Sequence, residues 1–537
     1  MNEISNLTAL IVDPNTNMRG SLQNMLNLCG LTKIEHAVSA GTAIRQIQKK
    51  HHDVVLCEYD LGDGQDGQQL LEDLRHNKLI GPGIIYFIIT AERMLDKVVG
   101  AAELAPTDYI LKPFTADMLL ERIGRALHKR AAFAPVHDMM SHGQLREALG
   151  ACISGEVANP RYAADFQRLR ADMHVSLNEP AAAETIYRQL IGDRDLAWAR
   201  LGLASCLFMQ GRLEEAENTL VDLLAENDKY MHAYDLLAQV REKMGKQDEA
   251  KAVLESAVAV SPHAVRRLRR LGEVALRAGD TDTAERSFQK VISKAKYSEF
   301  RDPEDHVKLV QSLVSKGDTD LASAMIRDLQ KSLSGNDRMP ACRALSSAML
   351  YKTLGDAERT SQELSAAVVA CRDQAGLSDE LKMVLAQGCL TNNLEEEAAE
   401  VMLDVMNNAS NDEDMARARQ VLEQAGRADL ADKLATESRR QVSDLVTSGV
   451  SKAHEGDFKG AVALMQEALK KMPDNPQVVF NSALAILRYL ENLGWDTALG
   501  DRSRMLIEKM RGLEPANPKL EALSDLYQQI AVKRGVR

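Results

Sequence analysis

Four side chains suited to binding a cation or a phosphoryl group each follow a short apolar run near the start of the chain. Asp13 follows LTALIV (7–12), Glu58 follows DVVLC (53–57), Thr90 follows GIIYFII (83–89), and Lys112 follows DYIL (108–111). Carboxylates are preferred magnesium ligands, and hydroxyl and ammonium groups bind phosphate oxygens. These four residues are therefore the first candidates for a functional site.

These residues follow four of five predicted strands, since IEHAV (34–38) adds a fifth β-rich run. Amphipathic helical patterns follow the runs. Strands that alternate with helices indicate a parallel sheet covered on both faces. In such α/β sheets the chemistry lies outside the carboxyl ends of the strands. Residues 1–130 are therefore predicted to form a doubly wound, five-stranded parallel domain.

After residue 130 the strand signals stop and a helical repeat begins. Turn residues recur at spacings of 30 to 38 residues, at Gly143, Asn178, Gly211, Gly245, Gly279, Gly317, Gly355, Asn393, Gly426 and Gly456. Self-similarity at this period is typical of stacked helical hairpins, which bury their apolar faces only against their neighbours.

The repeat resembles the tetratricopeptide repeat. The residues that carry the resemblance are Tyr234, Leu237, Ala238, Gly245, Ala250, Leu254, Ala257 and Pro262, with a second copy at Leu268, Leu271, Gly272, Gly279, Ala284, Phe288 and Val291. The resemblance implies an all-α superhelical solenoid over residues 131–475, with close helix crossings at the small residues and a concave groove. Residues 476–537 are predicted to cap this array.

The N-terminal block resembles the flavodoxin-like receiver domain of bacterial two-component response regulators. The motifs that carry this resemblance are VDPNTNMR (12–19), CEYDLGDGQDG (57–67), ITAE (89–92) and DYILKPF (108–114). It implies that Asp13 is a metal-binding acid, that Thr90 and Lys112 contact phosphate, that Pro113 follows the lysine, that Tyr109 reports the state of the switch, and that Ala91 is the small residue that admits phosphate.

Two positions depart from the receiver pattern. Pro14 stands where a second metal-binding acid is expected, and Glu58 replaces the phosphate-accepting aspartate. Magnesium requires near-octahedral oxygen ligands at about 2.0–2.1 Å, so the loss of a carboxylate weakens the site. Phosphoryl transfer depends on positioning, and glutamate reaches past the in-line position. We therefore expect a pseudo-receiver that is not phosphorylated and requires no cofactor, with a doubtful magnesium site.

Several readings of this pocket remain open at the level of sequence. Glu58 either neutralises Lys112 in a domain kept for docking or imitates the phosphorylated state, and the alternative is a working, magnesium-dependent phospho-switch. Asp60, Asp63 and Asp66 suggest calcium, but an EF-hand loop also needs a glycine and a glutamate at positions where this sequence lacks them. We expect these three aspartates to lie in a solvated turn.

Candidate partner-binding residues of the array lie on the first helices of two hairpins. They are an apolar set, Trp198, Leu201, Phe208 and Met209, and an arginine set, Arg266, Arg269 and Arg277. Such surfaces suit a partner helix with an acidic flank. A core position for Trp198 and a solvated helix face for RRLRR (266–270) are the competing interpretations.

Composition narrows the function further. The chain has 537 residues and a net charge of −12, which disfavours nucleic-acid binding. No apolar stretch is long enough to span a membrane, and seven scattered cysteines form no C-x-x-C pair, which favours a reducing, cytoplasmic location. No catalytic motif is present. The sequence thus predicts a non-enzymatic regulator that binds a histidine kinase, a phosphotransfer domain or a response regulator, and it leaves homodimer formation open.

Overall fold

The structure is a computed structural model that describes residues 4–62, 65–81, 83–91, 106–193, 196–262, 264–296, 300–373, 376–515 and 517–535. Asp63, Glu92 of the ITAE motif, and the helical pattern expected after the fourth strand lie outside the described residues. The chain divides into two compact units, one comprising residues 1–175 and 179–312 and the other residues 176–178 and 313–537.

A five-stranded parallel sheet forms the N-terminal domain, in the strand order β2-β1-β3-β4-β5. The strands are β1 (Thr8–Val12), β2 (Lys33–Ala37), β3 (Val54–Glu58), β4 (Ile85–Thr90) and β5 (Asp108–Leu111). Alternate strand residues enter two separate cores: Leu10 and Val55 lie in one, and Ile11 and Leu56 in the other. Burial on both faces explains why the strands read as nearly continuous apolar runs, as in other covered parallel sheets. The predicted fold class is confirmed.

The first thirteen described helices belong to the sheet domain and the hairpins that follow it. They are α1 (Thr16–Leu28), α2 (Ala40–Lys49), α3 (Gly67–His76), α4 (Ala116–Ser141), α5 (Leu145–Ala158), α6 (Ala163–Ser176), α7 (Pro180–Asp193), α8 (Ala197–Met209), α9 (Leu213–Glu226), α10 (Met231–Lys243), α11 (Gln247–Val260), α12 (Val265–Arg277) and α13 (Thr281–Ala295). Short 3₁₀ turns lie at Ile4–Asn6 and Pro160–Tyr162.

Helices continue through the remainder of the described chain. They are α14 (Glu304–Ser315), α15 (Thr319–Ser332), α16 (Met339–Thr353), α17 (Ala357–Asp373), α18 (Asp379–Thr391), α19 (Glu395–Asn407), α20 (Asp412–Gln424), α21 (Ala428–His454), α22 (Phe458–Lys471), α23 (Pro476–Leu493), α24 (Thr497–Leu513) and α25 (Leu520–Lys533). None of the helices in the described part of the chain is long and apolar enough to cross a membrane.

All ten predicted turn residues adopt a positive φ angle, from 56° at Asn178 to 84° at Gly456. Glycine and asparagine enter this left-handed region most readily, so they end a first helix and let the chain reverse into the second. The period found in the sequence therefore marks real helix–helix turns.

Helix α4 begins in the sheet domain and ends in the repeat region. Its residues Leu119 and Ile123 are buried in one core of the sheet domain, whereas Phe133 stacks on Phe166 of α6 with ring centroids 4.0 Å apart. Arg130 also pairs with Asp53 at 2.9 Å. One continuous helix thus carries the chain across residue 130.

Close helix crossing at small residues gives a test of the hairpin packing. A Cβ atom on Gly272 of α12 would lie 2.7 Å from the buried Phe288 ring of α13. We expect Gly272→Ala to destabilise the chain by about 1–3 kcal/mol, since overpacking outweighs the helix propensity of alanine. Urea unfolding of the full chain measures the change.

The matched control is Gly150→Ala in α5, where an added Cβ atom meets nothing within 4 Å among the described atoms. This substitution should stabilise the chain by up to about 1 kcal/mol, because alanine favours helix more than glycine does. Equal responses at the two glycines would contradict the packing described here.

Candidate functional site

The carboxyl ends of β1, β3, β4 and β5 meet at one edge of the sheet, and the four predicted pocket residues lie there. Parallel pairing places β3 between β1 and β4, with β5 beyond β4. Asp13 follows β1, Glu58 and Thr90 end β3 and β4, and Lys112 follows β5. The topology therefore brings residues up to a hundred positions apart to one pocket.

Asp13 is buried and held by the loop that follows it. Its Oδ1 accepts a hydrogen bond from the Asn15 N–H at 2.7 Å, and its side chain is 3% exposed. Pro14 is exposed and carries no carboxylate into the pocket. The Arg19 guanidinium donates to the carbonyls of Asp13 and Pro14, at 2.6 Å and 3.0 Å, and so fixes this loop.

Glu58 and Lys112 form a direct ion pair inside the pocket. The Lys112 ammonium contacts Glu58 Oε2 and lies 3.9 Å from Asp13 Oδ2. The other Glu58 oxygen, Oε1, accepts a hydrogen bond from the Tyr59 N–H at 3.0 Å. The Glu58 side chain is only 12% exposed. Both of its oxygens are thus engaged, and Lys112 is the cation shared by the two carboxylates.

Asp60 and Gly67 lie in the segment that follows Glu58. Asp60 is exposed, and its Oδ1 accepts from the Gly62 N–H at 2.9 Å. Gly67 returns so close to the strand that a Cβ atom there would lie 2.4 Å from the Glu58 carbonyl oxygen. Asp60 therefore belongs to a turn, and Gly67 permits the close approach of helix α3 to β3.

The remaining predicted pocket residues line the β4 and β5 ends. Thr90 is buried, and its carbonyl accepts from the Lys112 N–H at 2.9 Å. Ala91 is exposed. Tyr109 is half-buried, its hydroxyl donates to Gln68 Oε1 at 3.2 Å, and burial raises the pKa of this tyrosine above its ordinary value. Pro113 follows Lys112 through a cis peptide bond.

The donor set does not fit a magnesium ion. Within the described residues no group of three or more metal-binding acids, histidines or cysteines is found anywhere. Among the residues that the structure describes, Asp13 and Glu58 bring carboxylates into the pocket, and the position that would bring another holds Pro14. Asp13 Oδ2 has no hydrogen-bond partner among the described atoms, yet the Lys112 ammonium already supplies its positive charge. These residues supply too few oxygen ligands for the near-octahedral site that magnesium requires.

In the array, the apolar candidates lie mostly against the repeat core. Trp198, Leu201 and Phe208 are partly buried and pack on the core cluster of the hairpins, whereas Met209 is 39% exposed. The Arg168 guanidinium lies 5.2 Å from the Trp198 ring centroid, a cation–π contact. Trp198 thus packs against the core on one side, and its ring is in contact with the Arg168 guanidinium.

Two of the three candidate arginines are engaged by acids of neighbouring helices. Arg269 makes a two-pronged contact with the buried Asp305 carboxylate, at 2.7 Å and 2.8 Å, and Arg277 contacts Glu242 at 2.7 Å. Arg266 is exposed and shows no partner among the residues that the structure describes. The arginine set therefore contributes to the packing of the array.

One contact between the sheet domain and the array was absent from the sequence interpretation. Phe300, between α13 and α14, packs against the sheet-domain core, as Tyr109 does. Burial and the charges of Arg266 and Arg269 lower the pKa of His76, at the end of α3. The longer spacing of 38 residues from Gly279 to Gly317, which contains Phe300, was the available signal.

This fold and pocket define the class of the protein. Residues 9–124 match the response regulator receiver domain, and residues 174–240 and 236–299 match tetratricopeptide repeats. The chain therefore consists of a receiver domain followed by a tetratricopeptide repeat region, as the sequence predicted.

The particular relatives match the receiver part of the chain. The chemotaxis protein CheY-3 of Vibrio cholerae is 29% identical over 124 residues, which is 23% of this chain and 94% of that protein. The chemotaxis protein CheY of Pseudomonas aeruginosa is 28% identical over 120 residues, or 22% and 95% of the two chains.

Solved structures resemble each part separately. A CheY-like receiver domain protein from Methanospirillum hungatei is 28% identical and covers 23% of this chain and 97% of its own, with a TM-score of 0.21. A tetratricopeptide repeat protein from Parabacteroides merdae is 14% identical and covers 51% and 98% of the two chains, with a TM-score of 0.36.

Proposed function

We propose that this protein regulates a two-component pathway as a receiver-shaped docking protein that does not itself carry phosphate. Its receiver domain and repeat region are modules for signalling and for protein–protein interaction. The receiver engages a sensor kinase, a phosphotransfer domain or a partner response regulator, and the repeats hold a further protein. The outcome is modulation of a phosphorelay, by inhibition.

The observation that supports this proposal most is the position of Lys112. Its ammonium lies on Glu58 and within 3.9 Å of Asp13, so the cation of the pocket is a side chain of the protein. The pair is largely shielded from water, which strengthens the attraction between its charges. A carboxylate bound on both oxygens is a poor nucleophile toward an incoming phosphoryl group.

Inhibition of phosphotransfer requires only that the receiver surface binds the partner, without any phosphoryl transfer to this chain. A receiver surface that docks on a phosphorylated partner and cannot accept the phosphoryl group occupies the place of a competent receiver. Binding alone therefore lowers the rate of transfer to that receiver, in proportion to the fraction of partner occupied.

The direct experiment is incubation of the full chain with magnesium and a small phosphodonor, followed by intact mass measurement. We expect no gain of a phosphoryl group. The alternative, a magnesium-dependent phospho-switch, predicts a gain that is lost on raising the pH and abolished by Glu58→Gln. That result would overturn the proposal.

Inhibition is tested by adding the full chain to a panel of autophosphorylated sensor kinases, each paired with its own receiver. We expect transfer in at least one pair to slow in proportion to the added chain. Unchanged transfer in every pair would count against a role at the phosphorelay.

A further inference from the structure

The second unit contains a pocket of about 240 Å³ between two consecutive first helices of the array. Helices α16 and α18 end just before the turn residues Gly355 and Asn393, so each is the first helix of its hairpin. Helix α17, the second helix between them, contributes the buried residues Thr360 and Leu364 to the floor. The pocket therefore lies between helices of the kind predicted to bind partners, and none of the candidate groove residues lines it.

Apolar side chains form the walls and the floor of this pocket. The half-buried Met349 of α16 and Val384 of α18 stand on opposite helices. Beneath them lie the buried side chains of Leu345, Ala348 and Leu364. A ligand that enters between the two helices therefore meets hydrocarbon, which favours an apolar group because its transfer out of water is favourable.

The polar groups around the pocket are engaged within the chain. The buried Thr360 donates its hydroxyl to a backbone carbonyl at 2.7 Å. Thr391 Oγ1 and Asn392 Nδ2 both donate to the Gly388 carbonyl at 2.9 Å. Gly388 also keeps space free, since a Cβ atom on it would lie 3.0 Å from Leu364 Cδ2. These donors are thus satisfied before any ligand arrives, so the floor does not select a polar group.

Lys352 gives the rim of the pocket a positive charge. It lies in the last turn of α16, is exposed, and is the one charged residue among the described residues that line the pocket. It makes no ion pair with any residue that the structure describes. The acid one turn further along the chain, Asp356, pairs instead with Arg359 at 3.4 Å. The ammonium of Lys352 is therefore available to a carboxylate from outside the chain.

We propose that this pocket binds a large apolar side chain of a partner polypeptide, and that Lys352 pairs with an acidic residue beside that side chain. An apolar cavity of about 150 Å³ holds one benzene molecule, so a pocket of about 240 Å³ accommodates one large side chain. The positive rim favours an acidic neighbour over a basic one. The inference rests on the proposed protein-binding role of the repeats, names the kind of partner, and does not depend on the state of Glu58.

Fluorescein-labelled hexapeptide libraries, acetylated and amidated at their ends, provide the probe, and anisotropy is measured with the full chain. The third residue is phenylalanine or asparagine, and both of its neighbours are glutamate, glutamine or lysine. Phenylalanine should bind at least about tenfold more tightly than asparagine, because its ring is buried. Glutamate flanks should improve binding by about two- to fivefold over glutamine, as an exposed ion pair does. Equal binding of the phenylalanine and asparagine libraries, or of the glutamate and lysine libraries, would overturn the inference.

Variants locate the binding. Lys352→Glu, at an exposed position where folding should be unaffected, should turn the preference for glutamate flanks into one for lysine flanks. Val384→Phe should weaken binding of the phenylalanine libraries, because the larger side chain fills the pocket. The matched control is Lys459→Glu, an exposed lysine on α22 that does not line the pocket, which should keep the preference for glutamate. Retention of that preference by Lys352→Glu would overturn the assignment of the site.

Octanoate separates a polypeptide ligand from a small apolar acid. We expect the unlabelled library with phenylalanine and glutamate to displace its labelled form at a lower concentration than octanoate does, and the reverse order would reject the polypeptide assignment. Phosphate uptake at Glu58 would refute the proposed phosphate-free receiver while leaving this binding result untouched, so the two failures are distinguishable.

Discussion

The double variant Pro14→Asp/Glu58→Asp is expected to take up one phosphoryl group per chain in the presence of magnesium and a small phosphodonor, whereas we expect the natural sequence to take up none. Pro14→Asp adds the missing metal carboxylate, and Glu58→Asp shortens the central side chain by one methylene. The shorter carboxylate also withdraws from Lys112, which then becomes available to phosphate oxygens. Intact mass before and after incubation measures the gain.

The single variants and a lysine variant serve as controls for this prediction. Each single substitution should give far less uptake than the pair, since one leaves the metal site short of a ligand and the other leaves the nucleophile misplaced. Lys112→Met in the double variant should remove most of the gain. A folded double variant that takes up no phosphate would show that the barrier lies outside residues 14 and 58.

Arg269→Leu should destabilise the array by about 3–5 kcal/mol, because it leaves the Asp305 carboxylate buried without its partner. Asp305 is 3% exposed and receives two hydrogen bonds from the Arg269 guanidinium. Urea unfolding of the full chain, together with hydrogen exchange in α12 and α14, measures the loss. Exchange is needed because long repeat arrays do not unfold in one step.

Arg266→Leu on the same helix is the matched control, and its effect should stay within about 0.5 kcal/mol, since Arg266 is exposed. The double variant Arg269→Leu/Asp305→Leu should recover most of the loss, because no buried charge remains unpaired. A loss at Arg266 as large as that at Arg269 would contradict this account.

The same variant should depend on pH in a defined direction. Burial already holds the pKa of Asp305 above its ordinary value, and removal of Arg269 raises it further. The folded state then binds a proton more readily than the unfolded state, so stability falls as pH rises above the unfolded value of about 3.9. The deficit of Arg269→Leu should therefore shrink as pH falls toward about 3.9 and be smallest below that value.

The elements were predictable because their signals are local. Each strand is an apolar run of a few residues, and each hairpin turn is a glycine or asparagine that the left-handed φ region requires. The pocket followed from these elements, since parallel strands carry their carboxyl ends to one edge. The sequence thus predicted that Glu58 and Lys112 lie close together, although they are 54 positions apart.

The array surface could not be predicted in the same way. Whether Arg269 faces solvent or Asp305 depends on how one hairpin stacks on the next, and the repeat pattern alone leaves that angle undetermined. Trp198 was open between core and groove for the same reason, and in the structure it has one side on the core and one under Arg168.

Helix α4 has a consequence for how the two modules are joined. A flexible linker would keep the two modules near each other and leave each of them free to rotate. Here a single helix, Ala116–Ser141, is buried at one end in the sheet domain and at the other against α6, and Arg130 pairs with Asp53 between them. The receiver and the first repeat are therefore joined by one continuous helix, and rotation of one end of this helix rotates the other. A fragment that starts at residue 131 cuts the helix in two.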